Sequence, residues 1–197
     1  VQDGYAQELL GEYQFQKVKF GLRDSFVVMK FSRMRPANFP SIRLAQGLSL
    51  FLHHKNLFRT ILEIDIDKIH SIFDYEVSEY WDAHYNFGSK RNGGSKPGKS
   101  LVNNIIINAF VPIIYTYGKY VNRPEYVDRA ESILNSLQPE HNRITKLWSD
   151  LGRPPSSAYE SQAMVQLYKQ HCSHKKCLTC CVGSQLLQND QKHLSIL

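Results

Sequence analysis

The stretch Arg35-Pro36-Ala37-Asn38-Phe39-Pro40-Ser41-Ile42-Arg43-Leu44-Ala45-Gln46 sets the terms for the rest of the chain. Pro36 and Pro40 fix φ at two points and remove two backbone donors. Arg35 and Phe39 each precede a proline and are pushed out of the helical region. Pro40 suits the first turn of a helix, and Asn38 is a candidate cap for it. The stretch therefore reads as a rigid elbow feeding a helix from Ser41 to His54. Ile42, Leu44, Ala45, Leu48, Phe51 and Leu52 form a broad apolar face on that helix.

Four elbow residues, Arg35, Asn38, Arg43 and Gln46, are candidate binding residues. Rigidly held arginines suit phosphate recognition, and they equally suit locking one domain together through carboxylates. The partner of Arg43 separates the two. A buried carboxylate beside it makes the elbow structural, and an open basic groove makes it a binding site. Arg23, Lys30 and Arg33 extend the basic surface, and Phe31 and Phe39 offer rings on which bases can stack.

Beyond the elbow the pattern is helical almost throughout. Tyr5 to Leu22 is amphipathic and is stopped by Gly21. Short helices are expected from Asn56 through Leu62, from Asp65 to Phe73, and over the aromatic-rich segment Glu76 to Phe87. Leu101 to Tyr117 is apolar nearly all round and should be a central buried helix, kinked by Pro112. Asn104 and Asn108 lie one turn apart on it, and satisfying backbone groups freed by the proline is favoured over lining a pocket. Surface helices follow over Pro124 to Leu137, Pro139 to Leu151, and Ala158 to His171 with Ser157 as cap. The fold class is thus mainly α: an irregular bundle of seven or eight helices, with a short strand or an extended lead-in near 26–31. One helical domain over residues 1–187 and a flexible tail at 188–197 are expected.

Composition places the chain among ordinary globular proteins, with 42% hydrophobic, 21% charged and 12% aromatic residues. The net charge of +6 biases it toward acidic partners, nucleic acid among them; surplus lysine on a soluble protein is the plainer reading. No apolar run reaches the length of a membrane span, and no signal peptide is visible, so a cytoplasmic protein without a membrane partner is expected. The chain opens Val1-Gln2-Asp3 without methionine, which points to a piece of a longer protein.

Gly88 to Ser100, rich in glycine and basic residues, reads as a mobile, solvent-facing loop. Gly93-x4-Gly98-Lys99-Ser100 within it spells a phosphate-binding loop. That pattern needs a buried strand immediately before it, and Lys90-Arg91-Asn92 is not one, so nucleotide binding is not expected here.

All four cysteines lie between Cys172 and Cys181. Cys177 and Cys180 form a CxxC pair, the usual half of a zinc site. Cys172 is a third candidate ligand, and His171, taken as the candidate, His174, His193 or Cys181 a fourth. Structural zinc, packed reduced thiols and a local disulfide are the alternatives. Catalytic sets are weak: Glu76, Glu79, Asp82 and His84 read as a solvated helical face with one half-buried histidine, and no nucleophile elbow or HExxH motif occurs.

Several stretches, taken in order, resemble bacterial domain-of-unknown-function family 2851. They are the elbow itself, Tyr80-Trp81…His84-Tyr85-x-Phe87-Gly88, Ile107-Asn108 with Pro112 and Tyr117-Gly118, Asp128-Arg129-Ala130, Ser161-Gln162-Ala163, and Cys172-x4-Cys177-Leu178-x-Cys180 with Val182-Gly183. The resemblance implies that the chain matches the C-terminal half of a longer protein. It implies an absent β-rich, nuclease-like N-terminal domain as the partner, and it carries no catalytic residue over to this chain. Cys181 departs from the family pattern, which favours Cys172, Cys177 and Cys180 as the cysteine set. The function expected is a helical module of a larger bacterial protein, nucleic-acid-associated and non-catalytic by itself. A purely structural or protein-interaction module is the alternative.

Overall fold

Pro40 is the first residue of helix α2 (Pro40–His53), where its missing N–H costs nothing. The residue ahead of it, Phe39, is extended and has no side-chain cap bond, so Asn38 does not cap this helix as expected. The inward stripe also differs from the expected one. Ile42, Gln46 and Leu50 are buried at i, i+4 and i+8, while Leu44, Leu48, Phe51 and Leu52 are exposed. The broad apolar face thus turned on a count of leucines, whereas the buried one is a narrow strip that includes an amide.

The structure is a computed structural model that describes residues 3–24, 29–31, 35 and 38–185. The chain is mainly α and divides into two compact units, Val1–Val102 and Asn103–Leu197. The expected strand near 26–31 falls largely outside the described residues, as does the tail at 188–197; residues 29–31 form no strand.

In the first unit, α1 (Gly4–Phe20) is followed by α2, α3 (Leu57–Glu63) and a 3-10 turn at Ile66–Phe73. Their core is Ile42, Leu50, Ile61, Leu62, Ile69, Ile72 and Phe73, joined by Tyr75, Val77 and Trp81. The expected helix over Glu76 to Phe87 shortens to α4 (Tyr80–Ala83). After it, β1 (His84–Asn86) pairs antiparallel with β2 (Ser89–Lys90). Gly88, at φ 66°, makes the reversal, a conformation that other residues adopt at a cost. Aromatic residues favour a pleated, half-buried surface over a helix, and this segment is rich in them.

Asp3 fastens α1 to that hairpin. One carboxylate oxygen caps the helix at the Ala6 N–H (2.9 Å), and the other accepts from the Tyr80 hydroxyl (2.6 Å) and the Gly88 N–H (2.8 Å). The Tyr80 hydroxyl and then the backbone donors hold the Asp3 carboxyl below its ordinary value. Tyr80 is sandwiched between Tyr5, at 4.3 Å, and His84, at 4.0 Å. At the other end of α1, Gly21 is left-handed at φ 59° and closes the helix as expected. All residues of α1 are described, and none of them is buried.

In the second unit the long helix from Lys99 to Tyr120 ends, and by length and composition alone it could cross a membrane. Ile106, Ile107, Phe110, Val111, Ile114 and Gly118 are buried along one side of it, while Asn104, Asn108, Tyr115 and Tyr120 are exposed. It is therefore one-sided rather than apolar all round. Its parts are α5 (Lys99–Ile105), a π-helical turn at Ile106–Phe110 and α6 (Val111–Tyr120). Pro112 cannot donate to Asn108, and the widened turn takes up the mismatch, with the Val111 N–H bonding to the Ile106 carbonyl. The Asn108 amide donates to the Asn104 carbonyl at 3.1 Å, so it serves the backbone, as favoured from the sequence.

α7 (Pro124–Ser136) packs on α6, with Ala130 and Ile133 buried. α8 (Arg143–Asp150) starts at an Asn142–Thr145 capping box, later than expected, and α9 (Ala158–Gln170) starts at Ser157, as expected. Ser161, fully buried, accepts from the Glu140 N–H at 3.2 Å and donates to the Ala158 carbonyl at 3.0 Å, which ties the loop before α8 to α9.

Gly118 is where α6 and α7 meet most closely. A Cβ there would lie 2.8 Å from Tyr126 Cβ and 3.1 Å from both the Arg123 carbonyl oxygen and the Val127 nitrogen. Two of those three atoms are backbone and cannot swing aside. Gly118→Ala is expected to destabilise the protein by about 1–3 kcal/mol, the usual cost of overpacking. Gly11→Ala, in open space mid-helix, is expected to stabilise α1 by up to about 1 kcal/mol. Thermal melts check the first and amide hydrogen exchange across α1 checks the second.

Candidate functional site

Arg43 and Gln46 sit three residues apart on α2, so their side chains are neighbours on one face. Arg43 Nη1 donates to Gln46 Oε1 at 2.8 Å, and Nη2 donates to Asn38 Oδ1 at 2.6 Å. The elbow thus bends so that Asn38 grips the guanidinium rather than the helix end. Gln46 is 5% exposed, and its other side-chain atom, Nε2, donates to the Ser95 carbonyl at 2.7 Å. The Gln46 main-chain carbonyl accepts from the Tyr75 hydroxyl at 2.9 Å. Burial raises the Tyr75 hydroxyl above its ordinary value and keeps it a donor.

Ser95 lies in the middle of the glycine-rich segment and is 3% exposed. Asp82 Oδ1 accepts both its N–H, at 2.9 Å, and its hydroxyl, at 2.6 Å. The segment is mostly exposed, as expected of a solvent-facing loop, and is pinned at its centre by Ser95. Arg91 enters the segment with its N–H on the Ala83 carbonyl at 2.8 Å. Its guanidinium donates from Nη2 to the Gly94 carbonyl, while its Nε is buried without an acceptor.

Among the described residues, ion pairs are made by Lys17, Arg59, Lys68, Arg123 and Lys146, and neither Arg43 nor Arg91 is in that set. Arg43 is held by two neutral amides. Burial, and then the nearby charge of Arg91, push the Arg43 guanidinium below its ordinary value. Asp82 is the carboxylate in the neighbourhood, and it feels both Arg91 and Lys96. Its hydrogen bonds go to Ser95, so two cations share the field of one carboxylate, and Arg43 feels Arg91 alone. Two like charges held side by side raise the energy of the empty site and favour an anion that spans them.

The aromatic residues of the elbow form a cluster of their own. The Phe31 and Phe39 rings lie 5.8 Å apart, and Phe39 meets Tyr85 edge-on at 4.6 Å. The Ser41 hydroxyl donates to the Tyr85 carbonyl at 2.7 Å, which fixes the hairpin against the start of α2. Phe31 is 44% exposed.

Of the four elbow residues singled out in the sequence, Asn38, Arg43 and Gln46 come together. Arg35 is exposed and contributes its carbonyl, which accepts from the Asn38 N–H at 2.8 Å. Arg91, Ser95 and Asp82 were missed. Asp82 read as part of a solvated face, and no spacing rule links residue 46 to residue 95. Pro36, Ala37 and Arg33 lie outside the described residues.

The C-terminal cysteines do not assemble in the same way. Cys172, Cys177 and Cys181 are exposed and Cys180 is buried. Among the described residues, no three His, Cys, Asp or Glu side chains, those of His171, Cys172, Cys177 and Cys180 included, are grouped closely enough to hold a metal ion. The Val182-Gly183 pair has a plain packing role: a Cβ on Gly183 would overlap the Cys177 carbonyl.

A family model described as "Protein of unknown function (DUF2851)" matches residues 1–143. The chain belongs to the DUF2851 family. The match takes in the elbow, the hairpin, the glycine-rich segment and α5 to α7. The serine–glutamine pair of α9 and the cysteines, which resembled family motifs in the sequence, lie beyond the matched residues. No curated protein and no solved structure matches the chain.

Asp82 gives the site an acid limit. Its carboxyl is held below the ordinary 3.8, by the Ser95 hydroxyl first and the Ser95 N–H second. The contact is therefore fully in force above that value, and is lost as pH falls through the lower folded one. Asp82→Ala is expected to lower the melting temperature at neutral pH. The gap from the parent should shrink below about pH 4 as the parent's own contact is lost. Thermal melts of both proteins across that range check it.

Proposed function

We propose that this DUF2851 module binds nucleic acid through its phosphates and does no chemistry of its own. The observation that supports it most is Arg43, immobilised by neutral amides beside Arg91 and, among the described residues, in no ion pair, while Asp82 acts on Arg91 from beyond ion-pair distance. A guanidinium has five N–H donors, and Arg43 spends two of them on Asn38 and Gln46. The rest are free to meet phosphate oxygens, and the planar fork suits that geometry. The net charge of +6 adds a general attraction for a polyanion. Within a longer protein such a module would hold the polymer for another domain.

A second reading draws on a different surface. Tyr5, Leu9, Leu44, Leu48, Leu52 and Trp81 line an apolar groove of about 380 Å³ between α1 and α2. Exposed leucines in a groove suit a protein partner, as in the interaction-module alternative.

Binding of a labelled oligonucleotide, followed by anisotropy across a salt series, tests the first reading. The logarithm of the binding constant should fall linearly with the logarithm of salt concentration. Arg43→Gln and Arg91→Gln should each reduce the steepness of that line by roughly one, and Arg59→Gln, from an exposed ion pair, should leave it unchanged. Binding that is salt-independent, or insensitive to both variants, would rule the proposal out.

A further inference from the structure

We infer that the polymer taken at this site is single-stranded, with a base laid on the open ring of Phe31. This rests on the phosphate-binding reading above and adds to it the form of the ligand.

The Phe39 carbonyl accepts the Arg43 N–H at 3.1 Å, so Phe39, on which the Phe31 ring rests, lies one helical turn from Arg43 at the start of α2. One helical turn rises about 5.4 Å, which places ring and guanidinium within the reach of a single nucleotide. Phe39 is half-buried, with Tyr85 abutting it edge-on and the Phe31 ring leaning on it at 51°. Phe31 is the member left 44% exposed, backed by Phe39. A half-exposed ring supported from behind, near an arginine that makes no ion pair among the described residues, is the arrangement by which proteins hold unpaired strands: phosphates on arginine and bases on aromatic faces. A duplex stacks its base faces on one another and offers only its backbone and groove edges to such a surface. It would use Arg43 and leave Phe31 idle.

The full chain should be titrated with a labelled single strand of about 16 nucleotides and with the duplex of the same sequence, at one salt concentration. The single strand should bind at least about tenfold more tightly. Phe31→Ala should weaken single-strand binding about fivefold or more, the lower end of a stacking contribution, without changing its salt dependence. Phe31→Tyr, which keeps a stacking face, should restore it and also guards against loss by misfolding. Phe31→Ala should leave duplex binding as it was. Equal affinity for the two forms, with Phe31→Ala silent on both, overturns the single-strand inference while the Arg43 salt series still stands. If instead Phe31→Ala weakens the duplex and abolishes a protein-induced bend in it, measured by energy transfer between the ends, the ring is a wedge and the inference is overturned in that direction. Loss of the Arg43 effect on salt dependence overturns the underlying phosphate reading itself.

Discussion

Gln46 is an uncharged polar side chain on the buried stripe of a core helix, and a buried amide must find partners for both of its ends. It finds Arg43 one turn below and the Ser95 carbonyl from a segment almost fifty residues away. An unpaired amide in that position would cost on the order of 1–3 kcal/mol, so the surrounding chain is organised to prevent it. Ser95 must be carried inward, and Asp82 holds it there. Arg43 must keep its guanidinium turned toward the helix, and Asn38 secures the other side. Tyr75 takes up the main-chain carbonyl of Gln46. The elbow, α4, the hairpin and the glycine-rich segment meet because one side chain needs them to. Leucine at this position would bury well and give up the side-chain contacts to Arg43 and Ser95.

The same residue explains how much of the first unit was legible in the sequence. The elbow and the helix after it follow from two prolines and a run of good helix formers, and those features are local. Which face of α2 turns inward is not local. The expected apolar face of Ile42, Leu44, Ala45, Leu48, Phe51 and Leu52 contains the buried Ile42, whereas the rest of the buried strip is Gln46 and Leu50. A polar residue on the core side is invisible to any rule that scores apolar periodicity. The hairpin at His84 to Lys90 was hidden for a related reason: its strands are too short for alternation to register, and Gly88 is legible as a reversal only once Asp3 and Tyr80 are seen to hold its N–H. The candidate site was half visible for the same cause, its α2 residues lying in one stretch and its other residues arriving by long-range contact.

The second unit shows the opposite balance. Its helices, their caps at Asn142 and Ser157, and the disturbance at Pro112 are carried by residues within a few positions of the feature. The exceptions are glycines whose role depends on what approaches from elsewhere. Gly118 lets the Tyr126 turn of α7 close on α6, and Gly183 makes room for the Cys177 carbonyl. A CxxC pair in sequence suggested a metal, while the folded turn uses the neighbouring glycine to pack on the first cysteine's backbone.

Helix α1 has a consequence of another kind. It is long, carries exposed Leu10, Phe15, Val18 and Phe20, and buries none of its residues. What holds it is the Asp3 carboxylate and the Tyr5 ring at its first turn, with Lys17 and Tyr13 gripping Asp24 near its end. An element fastened by polar contacts at its ends, with no core behind its middle, can detach without the rest of the unit unfolding. The middle of α1 is therefore a stretch of helical backbone, among the described residues, that a protease could reach by local opening, and a cut there would leave Gln46, Arg43 and Arg91 in place.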